Sequence, residues 1–410
     1  MARKPLSFLR ARVCDGAVVL TAYKSTPTFK NAEAEAQFET LRVYRSDEAA
    51  FEFGNDYAEY FDGLSHEDAD VVFEGALTAT NSRKFTWTDT DASVGRTYAY
   101  WMAPAEGVPT GPVAVKVRDP EVWWPYAKII AAVDALKADY PNLVQVETVG
   151  HSAAHRPIKA VRVGTGARAA ALIGAVHAGE SGPELILPAL RDLAANHRPL
   201  LDRVAVAAIP CVNVDERERE VLGVPWYLRT NANGVDINRN FPADWETVEY
   251  GYGLDSSDPD SSTFRGPQAA SELETQAVMA FLWQQGADVV YAYHCLASIC
   301  GARLLAASCA EGDAAYASRC GDLARAYGLA MKLGVPEGEL LSFGTTSGSL
   351  AAWCYRKLHT PAFDIEISRH EEDALAACRV DQTDRALLGM YQDRHRKAVI
   401  AVLERLAGMA

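Results

Sequence analysis

The sequence predicts an α/β fold, a mixed or parallel sheet flanked by helices, preceded by an all-β sandwich domain. Three observations carry that expectation. The 410 residues exceed what a single hydrophobic core usually organises. Up to about residue 118, short runs of β-branched and aromatic residues follow one another with no helical stretch between them. From Asp119-Pro120 onward, apolar strand-like runs alternate with helical ones. The expected boundaries are therefore 1–118 for the β-sandwich and 119–410 for the α/β domain.

In the first part, FETLRVYRS, DVVFEGALTAT, RKFTWTDTD, RTYAYWMAP and GPVAVKVRD read as strands separated by polar or Gly/Pro turns. Period-two alternation puts Phe85 and Trp87 on one face, and likewise Val113, Val115 and Val117. Several short strands without helices suggest a small sandwich. The Tyr-rich RTYAYWMAP and the closing GPVAVKVRD are similar to strands of a fibronectin type III domain.

In the second part, WWPYAKIIAAVDALKADYP reads as an amphipathic helix stopped by Pro141. LVQVETVG, KAVRVG and AAALIGAV follow as strands, then the helix ELILPALRDLAANH and the strand VAVAAIP. The helix ETQAVMAFLWQQG, the strand ADVVYAYH, SGSLAAWCYRKL, the strand PAFDIEIS and a helix through YQDRHRKAVIAVLERLAG complete the alternation. Residues 243–270 form a polar loop long enough to suggest a functional role.

Composition narrows the function. The formal charge is −14, and an acidic surface repels phosphate backbones and anionic lipid. Nucleic acid and membranes are therefore not expected as partners. The opening MARKPLSFLRARVCDG is basic but lacks an apolar run, so neither a signal peptide nor a membrane span is predicted and a cytoplasmic location is expected. The eight cysteines contain no CxxC and match no zinc-ribbon spacing, which points to free thiols in a reducing compartment.

The chemistry concentrates in a few stretches. In AVHAGESG an apolar strand leads to His177, and Glu180 follows in a Gly-containing turn before a helix near Pro183. Open α/β sheets place ligands at the carboxyl ends of their strands. A strand-end His and a Glu in the next turn can converge on one ion; a simple polar turn is the competing explanation. His294 ends a second apolar strand, where a satisfied structural histidine is equally ordinary. Taken together, His177, Glu180 and His294 make a His₂Glu set that leaves the fourth position of tetrahedral zinc open for water. A hydrolytic zinc site also needs a base. Glu366 is a charge inside the apolar run PAFDIEIS, costly there unless paired or functional. Asp364 shares its face, so one of the two could instead meet solvent or a salt bridge. In LRTNANGVDINRNFP, Arg229 and Arg239 stand in a turn-rich segment, each suited to clamping a carboxylate or steadying an oxyanion.

Together HAGE, IPCVNVD, RTNANGVDINRNF, FRGPQAASELET, YHCLAS and FDIEIS resemble the zinc metallocarboxypeptidase family of the carboxypeptidase A and B type, over roughly residues 120–408. That resemblance implies a carboxypeptidase-like mixed sheet, a Zn²⁺ cofactor and a peptide substrate with a free C-terminal carboxylate. It implies that His177, Glu180 and His294 hold zinc and that Arg229 polarises the scissile carbonyl. It further implies that Asn238 and Arg239 bind the terminal carboxylate and that Glu366 is the general base. Three positions depart from the family pattern. Phe343 or Gly344 stands where the family usually has a mobile tyrosine, Cys295 where a serine follows the second His, and Gly179 where many digestive members carry an arginine. Leu350 gives the specificity segment an apolar character. The short HxGE and NANGVD-NRNF forms also resemble bacterial peptidases that cut γ-D-glutamyl-diaminopimelate bonds. A β-sandwich before the peptidase is similar to cytosolic carboxypeptidases that trim acidic tails, and the HxxE and Asn-Arg stretches to N-acyl amino acid deacylases. A carboxypeptidase-like binding protein without activity is the non-catalytic alternative.

Overall fold

Asp15 and Gly16, both at positive φ (51° and 80°), close a two-residue hairpin between β1 (Leu6–Cys14) and β2 (Ala17–Lys24). The Asp-Gly pair between two apolar runs is the hairpin signal that this turn demands. The computed structural model describes residues 6–24, 38–47, 63–78, 84–105, 107–180, 182–248, 250–251, 254–294, 303–309, 312–366 and 385–409. These fall into two compact units, one drawn from Met1–Trp123 with Arg219–Tyr227, the other from Trp124–Glu218 with Leu228–Ala410. Residues 119–123 and 219–227 thus group with the first unit, whereas the sequence places them after the break at 118.

The first unit is all-β. β1 and β2 pair with β5 (Lys84–Asp89) in a three-stranded sheet. β4 (Asp70–Thr78), β3 (Phe38–Ser46), β6 (Thr97–Pro104) and β7 (Thr110–Lys116) form a four-stranded one, in that order. Every pairing is antiparallel. Val18, Leu20, Leu41, Val43, Phe85, Tyr100 and Val115 share one buried cluster. The segment 219–227 is tied into this unit by its backbone. The Val13 and Lys116 amides donate to the Leu222 and Gly223 carbonyls at 2.7 and 2.8 Å. The Arg118 guanidinium donates to the Glu220 and Val224 carbonyls, both at 2.5 Å, and pairs with the buried Glu220 carboxylate.

The second unit carries an eight-stranded mixed sheet. Its strands are β8 (Val144–His151), β9 (Pro157–Val163), β10 (Arg168–Ile173), β11 (Val204–Ile209), β14 (Val289–His294), β15 (Leu304–Ala307), β16 (Leu341–Thr345) and β17 (Ala362–Glu366). A small hairpin, β12 (Tyr250–Gly251) and β13 (Leu254–Asp255), stands apart from it. The sheet order is β16-β15-β17-β14-β10-β11-β9-β8. The centre, β17-β14-β10-β11, is parallel. β14 and β11 are buried along their whole length and β10 nearly so, which is why VVYAYH, VAVAAI and RAAALI are largely apolar rather than alternating. Helices at 126–139, 183–196, 273–285, 314–331 and 385–407 pack along the sheet and on one another. The expected fold class is therefore the observed one, a mixed sheet flanked by helices and preceded by an all-β unit.

Two expectations need adjusting. Strands β1, β2, β15 and β16 and the helix Ala314–Met331 were not anticipated. β10 also stops at Ile173, so His177 lies in the turn beyond the strand rather than at its end. No helix among the described residues is long and apolar enough to cross a membrane. Cys14, Cys211, Cys309, Cys320 and Cys354 are free thiols; Cys295, Cys300 and Cys378 lie outside the described residues.

Candidate active site

The turn that carries His177 and Glu180 is built from close backbone contacts. At Gly174 an added Cβ would lie 2.3 Å from the Pro210 carbonyl oxygen, and at Gly182 2.6 Å from the Ala175 nitrogen. Only glycine lets the strand end and the start of helix Pro183–Asn196 approach so closely. Ala175 between them takes a left-handed conformation (φ 45°), a local strain of about 1–3 kcal/mol held by the surrounding structure. Its carbonyl accepts from the Asn213 amide at 3.0 Å. The turn closes with Glu180 N–H donating to the His177 carbonyl at 3.2 Å. Arg217, only 2% exposed, braces it from behind. One guanidinium nitrogen donates to the Ala178 and Glu180 carbonyls at 2.9 and 3.0 Å, and the other pairs with Glu184.

His294 ends β14 in register with Glu366, which ends the adjacent parallel strand β17. From these elements the three candidate ligands converge. Nδ1 of His177 lies 3.0 Å and Nδ1 of His294 2.7 Å from the same oxygen, Oε2 of Glu180. The three side chains are 2%, 2% and 0% exposed. Three donor atoms, one from each, lie within 4.8 Å of one another. Two imidazole nitrogens and a carboxylate suit zinc, and the far side of each ring is also provided for. His177 Nε2 donates to Asp236 Oδ1 at 3.0 Å, and His294 Nε2 faces Asp364 Oδ1 at 3.6 Å. Both rings are thus turned so that Nδ1 points inward.

Charge is balanced tightly here. Burial pushes the Glu180 carboxyl upward, but the two imidazoles outweigh it and hold the group well below the usual carboxylate range. Burial lowers the His294 imidazole, and Glu180 and Asp364 reverse that and raise it well above its ordinary value. Burial likewise disfavours the Asp236 anion, yet Arg229, His177 and Arg239 together hold it ionised.

Asp236 was not singled out from the sequence. Oδ1 accepts from His177 and from the Asn238 amide, the latter at 2.9 Å, while Oδ2 accepts from Arg229 Nε at 2.7 Å. The signal lay in the spacing Arg-(x)₆-Asp-x-Asn-Arg, where the acid had been read as part of a turn. The segment 228–230 is pinned on both sides, Leu228 by the Gly179 amide (3.1 Å) and Thr230 by the Asn213 side chain (2.9 Å). Asn238 and Arg239 sit on the single helical turn Ile237–Arg239, capped by Asp236. The Asn238 carboxamide accepts from the Leu350 amide (2.9 Å) and donates to Asp364 (3.2 Å). A primary amide has two N–H donors, so one is left for a ligand. Asp364, left open in the sequence between a base and a salt bridge, therefore lies between Asn238 and His294. Behind these residues, Glu272 accepts from Asn231 and Asn233 and holds the preceding turn. In the loop 243–270, Arg265 stacks on Trp245 and donates to the carbonyls of Trp245, Glu246 and Val248, so its described part is anchored. Phe343 lies on β16 and is 41% exposed. Cys295 falls outside the described residues.

If zinc binds here, Asp236→Asn is expected to weaken it about 10–100-fold, the usual cost of losing a carboxylate behind a ligand histidine. Competition against a chromophoric chelator measures this; an unchanged affinity would remove Asp236 from the metal site.

Comparison with known proteins bears on the family of the chain. The sequence profile described as zinc carboxypeptidase matches residues 129–383, well over half of the chain. A carboxypeptidase B of Astacus astacus is 27% identical over 179 residues, which is 40% of this chain and 57% of that protein. Murein peptide amidase A of Escherichia coli (strain K12) is 38% identical over 87 residues, 20% of this chain and 33% of that one. The chain thus spans little more than half of the first of these relatives and a third of the second. The crystal structure of carboxypeptidase A from Helicoverpa armigera superposes with a TM-score of 0.55 at 17% identity, covering 68% of this chain and 73% of that one, which shows a shared fold. On the extent of the profile match, the chain belongs to the zinc carboxypeptidase family.

Proposed function

We propose that this protein is a zinc-dependent metallocarboxypeptidase that hydrolyses the C-terminal peptide bond of peptides. The observation that carries the proposal is the convergence of His177 Nδ1 and His294 Nδ1 on one oxygen of the buried Glu180. Those three residues would hold the zinc. Zinc bound there would act as a Lewis acid on the scissile carbonyl and make a water molecule easier to deprotonate.

The chain's own groups would do the rest. Glu366, beside His294 in the sheet, would take a proton from the attacking water on its carboxylate and return it to the leaving amine. Arg229, turned by Asp236, would donate to the carbonyl oxygen as negative charge develops on it. Arg239 would pair with the substrate's terminal carboxylate, and the remaining Asn238 N–H would donate to it. The register of β14 and β17 supports a division of labour between a metal-holding and a proton-carrying strand end.

A free terminal carboxylate should then be a requirement. Peptides with amidated C-termini are expected to be cut at least about 100-fold more slowly than the free acids, the weight of a charge-assisted hydrogen bond or more. Arg239→Ala is expected to raise KM for the free acids and to narrow that gap. Mass spectrometry of timed digests measures both, and equal cutting of acids and amides would exclude exopeptidase action. The similarity to murein peptide amidase A keeps a second reading, cleavage of a γ-D-glutamyl-diaminopimelate bond, which the same digests applied to muropeptides would reveal.

A further inference from the structure

One cation at this edge of the sheet has no part in the reaction outlined above. β15 runs antiparallel to β17, with Leu304 opposite Ile365 and Leu305 opposite Asp364. One residue further along this register, Glu366 N–H donates to the Arg303 carbonyl at 2.9 Å. Residues directly opposite in an antiparallel pair project from the same face, with Cβ atoms about 4.5–5.5 Å apart. That face is the one that bears the site. Asp364, two residues before Glu366 and so on its side of the strand, reaches both His294 and Asn238. The strand order then places His294 on one side of Glu366 and Arg303 on the other.

Arg303 is half-buried, and its Nε is shut away from water with no acceptor among the described residues. Among the described residues it has no ion pair. Holding a permanent cation partly out of water without a direct ion pair is costly. The planar guanidinium is also the side chain best shaped to take a carboxylate through two parallel hydrogen bonds. A cation placed in this way beside the base, with no ion pair among the described residues, is suited to receive a further anion.

We propose that Arg303 is a specificity residue that binds a second carboxylate of the substrate. This carboxylate belongs to one of the two residues flanking the scissile bond and is distinct from the terminal carboxylate assigned to Arg239. The preferred substrates are then peptides that are acidic at the cut. The inference rests on the peptidase reading above.

The test compares kcat/KM for matched N-blocked peptides carrying Glu or Gln at each position flanking the bond. The intact enzyme is expected to favour Glu over Gln at one of them by about 10- to 100-fold, the range for a hydrogen bond to a charged group. Arg303→Gln is expected to bring that ratio near one through KM while the Gln peptides are still cut. Arg303→Lys, which keeps the charge but loses the fork, is expected to retain part of the preference. It also decides the matter should Arg303→Gln fail to fold. A ratio near one in the intact enzyme at both positions overturns the inference, as does an unchanged ratio in both variants. Cutting without acidic preference fells the role of Arg303 alone, whereas no cutting of any peptide fells the peptidase reading and Arg303 with it.

Discussion

Replacing Glu366 by glutamine is expected to lower kcat by about 10²–10⁴-fold with zinc content unchanged. The amide keeps the size of the carboxylate and the end of β17 in place, so the register with His294 survives. It cannot accept the proton of the attacking water, because an amide oxygen is far too weak a base. The three proposed ligands are untouched, which separates loss of the base from loss of the metal. Parallel measurements of turnover and of zinc by elemental analysis decide it. Full activity in this variant, with zinc present, would sink the assignment of Glu366, and so would a loss of zinc that accounts for the loss of rate.

Replacing Glu180 by glutamine is expected to have the larger effect, removing stoichiometric zinc and all activity above background. Both Nδ1 atoms face the same Glu180 oxygen, so this residue supplies the only anion among the three donors. Without that charge the pocket offers two imidazoles and a neutral amide, a far weaker set for a divalent ion. The backbone should hold, since Arg217 braces the turn through the Ala178 and Glu180 carbonyls rather than through the carboxylate. Zinc retained at one equivalent in a folded Glu180→Gln protein would mean that the metal lies elsewhere or is held differently. Stripping the intact enzyme with a chelator should reproduce the inactive state, and added zinc should reverse it.

Much of the candidate site was legible in the sequence because each proposed ligand sits beside a strong local signal. His294 closes one apolar run and Glu366 lies within another, both reading as buried strands, and the structure places the two residues in register on the neighbouring strands β14 and β17. The misplaced end of β10 has a physical cause. GAV is as apolar as the strand before it, but Gly174 lies against backbone that leaves no room for a Cβ, and the chain turns there instead. Asp236 escaped notice because an aspartate near Asn-Gly is ordinary turn chemistry, and its value comes from partners distant in sequence. β15 and β16 escaped because LLAA and LSFGT are too short to show a period. The strand that carries Arg303 beside the base was thus invisible before the fold was known. The hairpin of β1 and β2 has its own signal in Asp15-Gly16, set among basic residues that blur the strand pattern.

The residues 219–227 that complete the first unit also bear on how the protein is made. A ribosome releases the chain from its N-terminus, and leading domains usually fold before later ones emerge. Here the Val13, Lys116 and Arg118 partners in Leu222, Gly223, Glu220 and Val224 are about a hundred residues away from the nearest of them. The leading unit must therefore wait, incomplete, while β8 to β11 of the other unit are synthesised. During that interval its amides at Val13 and Lys116 lack the Leu222 and Gly223 carbonyls that accept from them in the folded chain. Translation speed across residues 124–218 then sets how long an unfinished sandwich is exposed to chaperones and proteases.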